Sequence, residues 1–152
     1  LHRKAELKRL VQELPLGHPV RIVDGDYVPE RFYALAKGLE DLPERGLRCQ
    51  KCIGHRLEET FRIALQQPER PDYVCTTLTI SPHKDAVFIN TKGTELAQQY
   101  GIAWLPTDFK KKGGYQRSIV LSREYDLYRQ NFCGCVYSRL EAERREKEMA
   151  SS

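Results

Sequence analysis

Two apolar periodicities alternate along the chain, and no other feature limits its possible folds so strongly. Leu7, Leu10, Val11 and Leu14 recur at helical spacing, and Pro15 with Gly17 ends that stretch. Pro19 to Val23 predicts a short strand, closed by the turn-like Asp24-Gly25-Asp26. Pro29 suits the first turn of a helix running to about Lys37, with Gly38 as its stop. After the turn at Pro43 to Gly46, a longer helix is predicted from about Leu47 to Gln67, its positions Ile53, Leu57, Phe61 and Ala64/Leu65 on one stripe. Tyr73 to Ile80, rich in β-branched and aromatic residues, predicts a buried strand. A helix follows over about Asp85 to Tyr100, ended by Gly101, then a strand over Ile102 to Leu105. A helix over about Arg117 to Tyr125 and a highly charged closing helix complete the chain. Strands separated by helices favour an α/β fold, a mainly parallel sheet with helices packed on its faces.

The chain has 152 residues, room for one compact domain rather than two. With 40% hydrophobic and 30% charged residues it can build an ordinary core. No apolar run approaches the roughly 18 residues of a membrane span, and no signal segment opens the chain, so a soluble cytoplasmic protein without a membrane partner is expected. Leu1 opens the sequence and Met149 is its only methionine, as expected of a fragment or a trimmed product.

The net charge of +4 is unevenly placed. Arg139 to Ser152 carries four basic and four acidic side chains and adds nothing to the total. From Asp108 to Arg117, Lys110, Lys111, Lys112 and Arg117 face one carboxylate, a local net of +3. Such a patch suits a polyanion, because neutralising phosphates releases condensed counterions; the plainer reading is a solvated loop. Gly113 and Gly114 beside the lysines could bring backbone amides close to phosphate. No Walker-type loop or dinucleotide fingerprint is present.

The chain has five cysteines: Cys49 and Cys52 in C-x-x-C spacing, Cys133 and Cys135 in C-x-C spacing, and Cys75 alone. The odd count and the absence of a signal segment argue against a secreted disulfide framework and for metal ligands or redox partners. Cys49 and Cys52 start the long helix just after Arg48, and side chains three apart on a helix share a face. The helix N-terminus and Arg48 both favour thiolate, the form that binds metal. The spacing does not choose between zinc and iron–sulfur, or between either and a thioredoxin-like dithiol. A disulfide between Cys133 and Cys135 closes a small strained ring that Gly134 makes possible, which suits a redox relay. On spacing alone, the same two sulfurs completing a four-thiolate site with Cys49 and Cys52 is an equal reading. Cys75 is expected in the core. His55, one turn after Cys52, is a weaker ligand candidate. His83, after Ser81-Pro82, suits substrate or solvent equally.

Long ordered blocks carry a resemblance. Thr76-Thr77-Leu78-Thr79-Ile80-Ser81-Pro82-His83-Lys84-Asp85, Asp108-Phe109-Lys110-Lys111-Lys112-Gly113-Gly114-Tyr115, Arg117-Ser118 through Leu121-Ser122, and Leu127 through Ser138 are very similar to blocks of the QueH-type epoxyqueuosine reductases. Arg48, Cys49, Cys52 and Arg56 match the same family. The resemblance implies a layered α/β/α domain of the PP-loop type over residues 1–138, with a charged helical tail over 139–152. It implies reduction of epoxyqueuosine to queuosine at the tRNA wobble position, the last step of queuosine formation, without cobalamin. It implies a four-iron cluster held in part by Cys49 and Cys52, and a redox-active pair at Cys133 and Cys135. Family members begin with a strand ending in adjacent cysteines that supply the other two ligands. That strand is expected upstream of Leu1, which leaves open whether this chain alone binds a cluster or is active. The partners implied are a tRNA carrying epoxyqueuosine and an unidentified electron donor. For the tRNA, Lys110, Lys111, Lys112 and Arg117 are expected on the phosphate path, with Tyr115 and Arg129 nearer the base. The rival readings are an RNA-binding module with a structural zinc on four cysteines, and a thiol oxidoreductase using Cys49 and Cys52.

Overall fold

The computed structural model describes residues 2–150. Its order is α1 (His2–Glu13), α2 (Pro29–Ala36), α3 (Leu47–Leu65), β1 (Tyr73–Val74), a 3-10 turn (Thr77–Ile80), α4 (Ala86–Tyr100), β2 (Ala103–Trp104), α5 (Gly114–Glu124) and α6 (Val136–Ala150). The chain forms two compact units. Val23–Ile119 is one, and the segments before Val23 and after Ile119 form the other. The protein is mixed α/β and mostly helical. β1 and β2 pair in parallel, Tyr73 opposite Ala103 and Val74 opposite Trp104.

In the larger unit α3 and α4 pack on each other and on the short sheet. The α3 stripe Ile53, Leu57, Phe61 and Ala64 is buried as its spacing predicts. Phe61, fully buried, stacks on Tyr100 at 5.8 Å and meets Trp104 at 6.3 Å. Asp85 caps α4, accepting from the amides of Val87 (2.9 Å) and Phe88 (3.0 Å). Gly101, left-handed at φ 67°, ends it.

The strands are shorter than predicted. Residues 19–23 form no strand; Val20 and Val23 are exposed, and among the described residues no neighbour takes up their backbone groups in a ladder. The Tyr73 to Ile80 run stops pairing after Val74, apart from the Leu105 amide, which donates to the Val74 carbonyl at 2.9 Å. The Thr76 hydroxyl then accepts from the Leu78 amide at 3.2 Å and bends the chain into the 3-10 turn, a local bond that competes with the ladder. Cys75, expected in the core, is exposed. Successive strand residues point to opposite faces, so burying Val74 turns its neighbours Tyr73 and Cys75 outward.

Beyond Trp104 side chains replace the missing ladder. The Asn90 carboxamide oxygen accepts from the Trp104 indole (3.0 Å) and the Thr107 amide (3.1 Å), while its NH2 donates to the Thr107 carbonyl (2.9 Å). The Thr107 hydroxyl donates to the Thr76 carbonyl at 3.2 Å. Its proton being so used, buried Thr79 must donate to Thr107 across their 3.2 Å contact, and Thr79 in turn accepts from the Phe109 amide at 3.3 Å.

In the smaller unit α1 holds the segment ahead of α6. Arg9 donates to the carbonyls of Tyr125 (2.9 Å) and Asp126 (3.0 Å), and Glu6 accepts from the Tyr128 amide at 2.9 Å. That amide bond, helped by Arg9, holds the Glu6 carboxyl below its ordinary value.

Two predictions follow from these contacts. A Cβ on Gly93 would lie 2.2 Å from Trp104 Cε2. Ala is worth only about 1 kcal/mol over Gly in a helix, whereas overpacking a core costs roughly 1–3 kcal/mol or more. Gly93→Ala is therefore expected to lower stability in urea unfolding, and a midpoint at or above wild type would contradict the packing. For Glu6, a depressed folded-state pKa gives stability that is present above about pH 4.5 and is lost as the carboxylate protonates below it. Glu6→Gln should flatten the acid side of a stability-against-pH curve and leave the neutral-to-alkaline slope unchanged.

Candidate functional site

In the larger unit, α3 begins at an N-cap glycine, Gly46, with no side-chain cap. Its carbonyl accepts from the amides of Cys49 (2.9 Å) and Gln50 (3.1 Å), which sets the first turn. Cys49 and Cys52 follow on consecutive turns as half-buried thiols outside any disulfide, on one face by helical spacing. Such a pair fits two corners of a thiolate-ligated metal centre. Among the described residues no third His, Cys, Asp or Glu joins them, so His55 stays outside the set. Arg48 is buried and donates to the carbonyls of Leu39 and Glu40, bracing the approach to α3.

Two bonds tie the turn before α3 to the turn before α4. Lys84 pairs with Glu44 at 2.7 Å, with the lysine side chain only 9% exposed, and Arg45 donates to the Pro82 carbonyl at 3.3 Å. Arg45 sits at φ 75°, the left-handed region a non-glycine residue adopts only when its surroundings impose it. Between these turns lies a cavity of about 10 Å³, room for one water molecule, lined by Arg45, Cys49, Gln50, His83, Lys84 and Asp85 among others. The Glu44–Lys84 pair is the part of this site that the sequence concealed: the partners stand 40 residues apart in no motif.

The basic loop follows the side-chain network. Asp108 takes Lys110 at 2.6 Å and Lys111 at 3.6 Å, and the Lys110 bond holds its carboxyl below the ordinary value. Lys110 and Tyr115 are half-buried, whereas Lys111, Lys112 and Arg117 are exposed. Lys112 and Arg117 enter no ion pair among the described residues. Lys112 at φ 50° and Gly113 at φ 76° are both left-handed, and this turn delivers the chain into α5 three residues earlier than the sequence suggests.

In the smaller unit the remaining candidates sit just before α6. Cys133 and Cys135 are thiols outside any disulfide, flanking Gly134 at φ 104°. Arg3 lies over this glycine: a Cβ there would meet its Nη2 at 2.4 Å, and its Nη1 approaches the Cys133 carbonyl at 3.5 Å. Cys135 takes the N-cap position of α6. Its sulfur accepts from the Ser138 amide at 3.4 Å and lies 3.3 Å from the Ser138 hydroxyl, which donates to the Cys135 carbonyl at 3.1 Å. Arg129 donates to the Ser122 hydroxyl at 2.9 Å. Nothing in the sequence spacing points to Arg3, because its contact spans 130 residues.

Comparison with known proteins adds a lineage to this geometry. The model of the family described as Epoxyqueuosine reductase QueH matches residues 1–141. A protein named Epoxyqueuosine reductase QueH from Streptococcus pyogenes serotype M1 is 41% identical over 140 residues, covering 90% of this chain and 54% of the relative. Its namesake from Staphylococcus epidermidis is 40% identical over 124 residues (80% and 51%), and that from Thermotoga maritima 39% over 126 residues (81% and 64%). The chain thus spans between about half and two thirds of the length of these relatives.

Proposed function

Since the chain belongs to the epoxyqueuosine reductase QueH family, we propose that the protein it represents reduces epoxyqueuosine in tRNA to queuosine. The observation that carries most weight is the pair of thiols on the first turns of α3, with Cys49 lining a small cavity beside the Glu44–Lys84 and Arg45–Pro82 bonds. Cys49 and Cys52 would hold two corners of a four-iron cluster, with the other ligands supplied from elsewhere in the whole protein. Bound there, the cluster would supply electrons singly, drawn from an external electron donor. Cys133 and Cys135 are read as a separate redox pair, able to pass between the two thiols found here and a disulfide.

The tRNA is read as lying along the basic loop. Lys111, Lys112 and Arg117, all exposed, meet phosphates, while Lys110, held by Asp108, fixes the shape of the turn. Tyr115 offers a stacking face, and Arg129 a fork for phosphate or base edge.

Two experiments on the full-length protein test these roles. Cys49→Ala and Cys52→Ala are each expected to abolish iron binding in anaerobically purified protein, whereas Cys133→Ser with Cys135→Ser should leave the iron in place. Normal iron in both alanine variants would remove the ligand assignment. Iron loss in the double serine variant would make the C-G-C sulfurs ligands, and zinc in place of iron would favour a structural site. Changing Lys110, Lys111 and Lys112 together to Ala should weaken tRNA binding at all sequences. It should also flatten its log–log salt dependence by about one unit for each lysine that meets a phosphate. Wild-type affinity and slope would place the tRNA elsewhere.

A further inference from the structure

Reduction of an epoxide to an alkene breaks both C–O bonds of the ring and forms a C=C bond. It consumes two electrons and two protons, and the oxygen leaves as water. The electrons are those of the reductase reading, delivered from the external donor; the protons need a group of the protein or solvent. The cavity beside Cys49 is suited to a single oxygen, since it has room for no more than one water molecule.

Several of the other groups lining this cavity already have partners. Lys84 is held by Glu44 at 2.7 Å. Asp85 accepts from two amides as the cap of α4, and Arg45 donates to the Pro82 carbonyl. Cys49 is assigned to the metal centre, and Gln50 is an amide that can hydrogen-bond an oxygen but not surrender a proton. His83 differs. Its backbone is pinned: the amide donates to the Ser81 hydroxyl at 3.2 Å, and its neighbours Pro82 and Lys84 are the anchor points of Arg45 and Glu44. Its imidazole has no partner among the described residues, and the residue is exposed to solvent. A pinned backbone carrying an uncommitted imidazole, on an exposed residue that lines a small cavity, is an arrangement that suits a proton donor.

We propose that His83 is the proton donor in this reaction, an assignment that rests on the reductase reading. An imidazole nitrogen gives its proton to the epoxide oxygen as the first C–O bond opens. The ring regains a proton from solvent and gives the second, and the oxygen departs as water. Arg45, which lines the same cavity, supplies a guanidinium that suits an oxygen gaining negative charge as its bonds to carbon break.

The test uses the full-length protein, purified without oxygen, with a chemical reductant and tRNA bearing epoxyqueuosine. His83→Ala and His83→Gln are both expected to slow queuosine formation roughly 100- to 10,000-fold, the usual worth of general acid catalysis, with iron content and tRNA affinity unchanged. Added imidazole should restore activity to the alanine variant, whose side-chain space is vacated, and not to the glutamine variant. A rate within about threefold of wild type in either variant, well below that range, overturns the assignment. So does a loss in the alanine variant that imidazole leaves untouched, because a merely structural histidine is not replaced by a diffusing one. Failure of the wild-type protein to form queuosine would instead remove the reductase reading itself.

Discussion

Two strands of two residues make too small a ladder to hold the loops that leave them, and the Asn90 carboxamide carries the register onward. It reads like one more residue of strand: it accepts from the Thr107 amide, donates to the Thr107 carbonyl, and adds the Trp104 indole. Each bond contributes a net of about 1 kcal/mol, but a buried donor or acceptor left without its partner costs about 1–3 kcal/mol. Losing Asn90 would orphan three groups at once. The threonine relay from Phe109 through Thr79 and Thr107 to Thr76 depends on the position Asn90 gives to Thr107. Both the Ser81–Asp85 turn and the Asp108–Gly113 loop start from these threonines. Where the ladder ends after Val74 and Trp104, side-chain bonds therefore take over its work.

A second constraint is electrostatic. Burying the Lys84 ammonium has a desolvation cost that attraction to Glu44 offsets only in good geometry. At 2.7 Å the geometry is good, and the pair fastens the turn before α3 to the turn before α4. Both helices then start beside one cavity, with Cys49 on one and the Asp85 cap on the other. Since α4 also carries Asn90, the turn that bears Cys49 and the sheet extension belong to one connected framework within the larger unit.

Some of this was legible in the sequence and some was not, and the division has a cause. The α3 stripe, the Asp85 cap and the Gly101 stop are local: each needs only residues within a turn or two, and the structure has them where the spacing puts them. Strands failed where the outcome depended on a partner far away. Pro19 to Val23 has strand composition but no strand to pair with among the described residues, and Thr76 diverts the run that holds Cys75. At the candidate site the thiols and lysines showed themselves by residue type and spacing. The residues that position them did not. Arg3 on the Cys133 carbonyl, Arg9 on the Tyr125 carbonyl and Glu44 on Lys84 are ordinary surface-type charges whose roles come from contacts 130, 116 and 40 residues away.

The basic loop combines charge with order in a way that composition hides. Three adjacent lysines repel one another, and an unconstrained run would disperse into solvent. Asp108 removes one unit of charge from the patch, yet it pulls Lys110 and Lys111 toward a single carboxylate. The left-handed Lys112 and Gly113 then turn the chain sharply into α5. At physiological salt, exposed charges more than about 8 Å apart are largely screened, so a ligand phosphate responds to the cations nearest it rather than to the formal +3 of the segment. On the proposed reading, exposed Lys112 and Arg117 then contribute more to a phosphate than Lys110, whose ammonium already has a carboxylate. On the same reading, what Asp108 removes in attraction it returns as a loop whose shape is set before the nucleic acid arrives, which lowers the ordering cost of binding.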